Sequence, residues 1–94
     1  MNRIDNLKNA IVPMMVDRIP ELNRLLSIHG PVKEIRDEMN TITSTLNHLH
    51  GATLNADVIE AAEWWHAYGM EATQYSLYRE ECRLEGVTPE PFVL

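Results

Sequence analysis

The sequence predicts an all-α fold, a small antiparallel bundle of three or four helices completed by dimerisation. Three observations carry this reading. Apolar residues recur every three or four positions along most of the 94 residues. Glycine and proline fall between those stretches. No stretch alternates in the manner of a half-buried strand bounded by turn residues.

The first periodic stretch places Ile4, Leu7, Ile11 and Met14 on one stripe. Pro13 and Pro20 interrupt it, because an interior proline forfeits a hydrogen bond and crowds the preceding turn. The expectation is therefore a helix over 3–17, a break at Ile19-Pro20, and a second helix over 20–28 carrying Leu22, Leu25, Leu26 and Ile28. His29-Gly30-Pro31 then reads as a C-terminal glycine followed by a proline in the first position of the next helix. That helix, 31–50, has the strongest period of the chain: Val32, Ile35, Met39, Ile42, Leu46 and Leu49 at alternating steps of three and four. Gly51 ends it, with His48 and His50 at the negative end of its dipole.

Asn55 is the expected cap of the last helix, 56–84, with Asp57 in its first turn. Val58, Ala61, Trp65, Tyr68, Ala72, Tyr75 and Cys82 form its expected inward stripe, while Ile59, Trp64, Met70, Leu77, Tyr78 and Leu84 fall outside it. An uninterrupted helix of that length spans about 43 Å. A compact globule of this chain length is about 32 Å across. Either the helix bends near Gly69 or a second subunit covers it, and the reading adopted is a homodimer. Gly86 ends the helix, and a proline-containing extended tail, 87–94, follows.

Composition is that of an ordinary globular domain, 45% apolar and 23% charged. The single cysteine excludes an internal disulfide and fits a reducing cytoplasm. No apolar run reaches membrane-span length, and Met1 to Asp5 mix charge with apolar residues, unlike a signal peptide. The net charge of −6 is unevenly distributed: residues 1–50 hold six acids and six bases, residues 51–94 eight acids against Arg79 and Arg83. Phosphate backbones need the opposite sign, so direct nucleic-acid binding is not expected, which leaves open a basic protein partner or mimicry of nucleic-acid charge.

The candidate partner-binding residues lie on the last helix: the acids Asp57, Glu60, Glu63 and Glu71, and the aromatics Trp64, Trp65, Tyr68, Tyr75 and Tyr78. Adjacent helical residues point about 100° apart, so Trp64 and Trp65 cannot both face one core. The function expected is a non-enzymatic protein-interaction module, an adaptor or inhibitor. Two alternatives stand beside it. One is a structural subunit of a larger assembly. The other is a metal-carboxylate helical protein using the Glu63-x-x-His66 pair, with Glu34 or Glu38 supplying further ligands although neither falls on the inward stripe. No enzymatic motif is present: Ser27, Ser44 and Ser76 lack a nucleophile turn, the glycines form no phosphate loop, and Cys82 has no histidine at zinc-ligand spacing. No cofactor is expected.

Overall fold

Three long helices account for nearly all of the 2–92 segment that the computed structural model describes. We label them α1 (3–29), α2 (Lys33–His50) and α3 (56–85). Among the described residues there is no strand.

Helix α1 starts at Asn2, whose side chain accepts from the Asp5 amide at 2.8 Å. It then runs unbroken to His29, so the break expected at Ile19-Pro20 is not there. Two features explain how one helix holds both prolines. Residues Leu7–Ile11 form a wide π-turn in which the Val12 amide reaches back five residues to Leu7, and Pro13 sits just past it. That turn absorbs the carbonyl that a proline ring would otherwise strike. Pro20 is exposed, as is Val16 one turn earlier, so the carbonyl that loses its partner is on the solvated side. An interior proline costs about 3 kcal/mol. Met15, Leu22 and Leu25, buried on either side of it, offset that cost and the helix continues through.

Gly30 closes α1 with a positive φ of 77°, its amide bonded to the Leu26 carbonyl. Pro31 belongs to the connection and not to the first turn of α2, which begins at Lys33 after an extended Val32. The second connection turns through Gly51 and Ala52, the latter at φ 55°, and the Thr53 amide caps the His48 carbonyl. Asn55 accepts from the Val58 amide at 3.0 Å and starts α3. Gly86, left-handed at φ 74°, ends it, and the Val87 amide bonds back to Cys82.

The core is one cluster: Leu7, Ile11, Met15, Leu22 and Leu25 from α1, Ile35 and Ile42 from α2, Ile59, Ala62 and Trp65 from α3. The start of α1 packs against the start of α3, the rest of α1 against α2, and α2 lies along both halves of α3. The body measures 47 × 27 × 18 Å, with a radius of gyration of 14.7 Å. A compact globule of this length would have about 12 Å. The last helix therefore stays long because the whole molecule is elongated.

Its inward stripe differs from the expected one. Ala61 is exposed and Tyr68 only half-buried, whereas Ile59, Ala62, Gly69 and Thr73 are buried. A second π-turn, Trp65–Gly69, is the reason beyond Trp65. One extra residue in a turn rotates everything downstream by about 100°, so Gly69 and Thr73 take the places anticipated for Tyr68 and Ala72.

On α2 the buried positions are Ile35, Glu38, Ile42 and Thr45. Glu38 faces inward, contrary to its expected place outside the stripe. Arg18 of α1 is the reason: its Nε and Nη2 donate to the two carboxylate oxygens of Glu38 at 2.9 and 3.0 Å. The two side chains are 10% and 3% exposed. Removing either partner leaves a buried charge uncompensated. Arg18→Ala or Glu38→Ala should therefore lower unfolding free energy by about 3–5 kcal/mol, while a joint Arg18→Met, Glu38→Leu replacement should be close to neutral. Urea denaturation checks this, and equal losses in the single and joint variants would contradict it.

Candidate functional site

Where α2 crosses the second π-turn of α3, the helices part to leave a cavity of about 100 Å³. Glu34, Asp37, Glu38 and Thr41 line it from α2, and Trp64, Trp65, Gly69, Ala72 and Thr73 from α3. No lysine, arginine or histidine is among these residues. The π-turn shapes the α3 wall. Trp65 is buried to 2% exposure while the neighbouring Trp64 is 52% exposed. Trp64 rests against Tyr68, ring centroids 5.8 Å apart.

Trp65 and Gly69 are interdependent. A Cβ built on Gly69 would stand 2.6 Å from Trp65 Cδ1, inside contact distance. Only glycine lets the indole lie along the helix there. The Nε1–H of Trp65 is buried without an acceptor among the described residues, a polar cost carried at this same crossing.

Below the cavity a polar seam ties α2 to α3. Ser76 donates to a Glu34 carboxylate oxygen at 2.8 Å, and the Thr73 hydroxyl lies 3.3 Å from the Gly69 carbonyl and 3.4 Å from that of Glu34. Asp37 is exposed and accepts from Lys33 one turn away. Such an exposed pair contributes little and exchanges readily. Glu38, by contrast, has both oxygens committed to Arg18.

The aromatic residues named from sequence separate into two groups. Trp64, Trp65 and Tyr68 surround the π-turn. Tyr75 and Tyr78 stand further along α3, under the tail. The Phe92 ring stacks on Tyr75 at 5.0 Å, the Tyr75 hydroxyl donates to the Glu90 carbonyl, and the Glu90 amide donates to the Tyr78 hydroxyl at 3.3 Å. The tail is thus folded back on α3 as far as Phe92, while Val93 and Leu94 lie outside the described residues.

The acids separate as well. Asp57, Glu60 and Glu71 are exposed. Glu63 is instead gripped by Arg3, whose Nε and Nη2 donate at 3.1 and 2.7 Å. That bond neutralises part of the acidic surface and ties the two helix starts together. It also occupies one half of the Glu63–His66 pair. Glu34 and Glu38, the further ligands considered, are bonded to Ser76 and Arg18. Among the described residues no three His, Cys, Asp or Glu side chains gather where they could hold a metal ion.

Sequence reasoning missed Asp37, Thr41, Ala72 and Thr73 as parts of one site, and gave Glu34 and Glu38 another role. Gly69 was the available signal, a glycine inside a long helical pattern. Comparison with protein-family models, curated proteins and solved structures gives no match for this chain.

Two outcomes are expected. In an unobstructed helix Gly→Ala stabilises by about 1 kcal/mol. Gly69→Ala should reverse that sign and destabilise by about 1–3 kcal/mol, because the new methyl must displace a buried indole. Thermal unfolding reads the sign, and a raised Tm would refute the contact. The second outcome concerns pH. The hydrogen bond from Arg3 holds the Glu63 carboxyl below its usual range. A depressed folded-state pKa stabilises above the unfolded value of roughly 4.3 and is lost as pH falls through the folded value. Denaturation midpoints should therefore drop less on acidification from about pH 5 to about pH 3 in Arg3→Gln than in the parent chain. Parallel drops would show the pair to be without effect.

Proposed function

We propose that this chain is a non-enzymatic protein-interaction module that captures a basic partner on its α2–α3 face. The observation that supports this reading is the half-exposed Trp64 beside the α2–α3 cavity, with the exposed carboxylates of Asp57, Glu60 and Glu71 on the same helix. Tryptophan is enriched among the residues that anchor interfaces, above all beside a concavity that a partner side chain can fill. Asp57, Glu60 and Glu71 extend the negative surface along α3 and steer a basic partner toward it. Self-association is part of the same proposal, for Ile28, Val16 and Leu84 leave further apolar surface open at 60%, 50% and 72% exposure.

A tagged chain, passed through lysate of its own host, should retain a protein that Trp64→Ala releases and that Asp57→Lys with Glu60→Lys also releases. Both variants should keep the helical circular dichroism of the parent. Glu63 is left unchanged because its loss would free Arg3. Retention unaffected by either variant would sink the assignment of the binding face. Sedimentation from low to high micromolar concentration tests the dimer, which a constant monomer mass would rule out.

A further inference from the structure

We propose that the α2–α3 face is a groove for one amphipathic helix of the partner, apolar toward the groove and basic along one flank. This rests on the reading of that face as a binding face and specifies the shape of what it binds.

The cavity beside Trp64 does not stand alone. A second concavity of about 210 Å³ adjoins it on the same seam, lined by Asn40, Thr41, Ser44 and Thr45 of α2 and by Val58 and Ala61 of α3. Thr41 lines both, so the two form one groove. At the rise of a helix, Glu34 to Thr45 spans about 16 Å and Val58 to Thr73 about 22 Å. That is room for about three to four helical turns. The linings of the two cavities are offset by about five positions on α2 and about nine on α3, or about 8 and 14 Å. Two turns of a guest helix rise about 11 Å, so side chains about seven residues apart on one face meet the two cavities.

What enters them is apolar. Glu38 is bonded to Arg18, Glu34 to Ser76 and Asp37 to Lys33, while the Thr45 and Thr73 hydroxyls donate to backbone carbonyls. A charged side chain pushed between them would lose water without gaining a partner. The cavity beside Trp64, about 100 Å³, is smaller than the ~150 Å³ cavity that holds benzene, and suits a short aliphatic side chain.

The backbone of the guest selects a helix. Among the described residues there is no strand with which an extended segment could pair, and α2 and α3 spend their amides on themselves. An extended guest would bury unpaired backbone groups, whereas a helix arrives with its own satisfied.

Charge selects a basic partner over a second copy. Asp57 lies one turn before Ala61 and Glu60 one turn before Trp64, so both border the α3 rim of the groove. Both are exposed, and neither forms an ion pair among the described residues. No lysine, arginine or histidine lines either cavity. A second copy would set its acids against these, while a basic flank complements them.

The test is a titration of the full chain with an amphipathic peptide of about fourteen residues, followed by ¹H–¹⁵N correlation spectra and circular dichroism. One face of the peptide carries alanine with two leucines seven positions apart, and the other carries lysine. The amides of Thr41, Ser44, Ala61 and Ala72 and the Trp64 indole should move together and saturate, with helicity gained by the peptide. Ala61→Trp, at an exposed position that leaves the fold intact, fills the groove and should weaken binding about tenfold or more. Trp64→Ala should weaken it on a similar scale, about tenfold, as loss of an interface anchor. A peptide of the same composition with proline at its centre, and one with glutamate in place of lysine, should leave the signals where they are. Absence of a saturable shift overturns the groove. Equal binding of the proline peptide removes the helix, and equal binding of the glutamate peptide removes the basic flank; either defeats the proposal. If the same signals move with the chain's own concentration, a second copy fills the groove and the proposal fails. Retention of a partner from lysate is read without this peptide, so the binding face can survive the loss of the helical guest.

Discussion

Glu38 links all three helices. It faces inward from the middle of α2, receives both arms of the Arg18 guanidinium from α1, and forms part of the wall of the cavity against α3. A buried carboxylate tolerates only a narrow set of geometries, since each of its oxygens must find a donor. Satisfying it sets how far α2 can slide along α1. The position of α2 in turn decides which of its residues meet the π-turn of α3. Net stability gained from such a pair is small compared with burying apolar groups of the same volume. What the pair fixes is the position of Arg18 against Glu38, and so of α1 beside α2.

The two π-turns are the second constraint. Each widens one helix by about a residue, and each lies where that helix would otherwise conflict with its surroundings. In α1 the conflict is with Pro13. In α3 it is between a large buried indole and the continuation of the helix, resolved by placing Gly69 against Trp65. The rotation that follows brings Thr73 and Ser76 toward Glu34. Without the extra residue, Tyr68, Ala72 and Tyr75 would have faced α2 in their place. The aromatic residues left outside that face then meet different fates, Tyr68 beside the exposed Trp64 and Tyr75 under Phe92.

These constraints produce an asymmetric surface. One end of α3 carries free carboxylates and an exposed tryptophan beside a small cavity. The other end is covered by its own tail, held by Tyr75 and Tyr78 through Glu90. The acidic surface is also narrower than its composition implies, because Arg3 takes Glu63 from it. Exposed acids and an exposed tryptophan are thereby brought near the α2–α3 crossing.

The sequence by itself determined that the chain is helical, and Gly30, Gly51 and Gly86 marked where its helices end. Those properties are local: helical period, amide capping and left-handed turns are decided within a few residues. Whether Pro20 breaks a helix is not local, because Met15, Leu22 and Leu25 must be buried by other helices before the cost of the proline is outweighed. The burial of Glu38 depended on Arg18, 20 positions away. The loss of Glu63 from the acidic surface depended on Arg3, 60 positions away. The face presented by α3 beyond Trp65 depended on a wide turn with no reliable sequence signature beyond a glycine. A periodic pattern states that a helix has an inward face, but only the packed neighbours decide which residues a rotation of about 100° places on it.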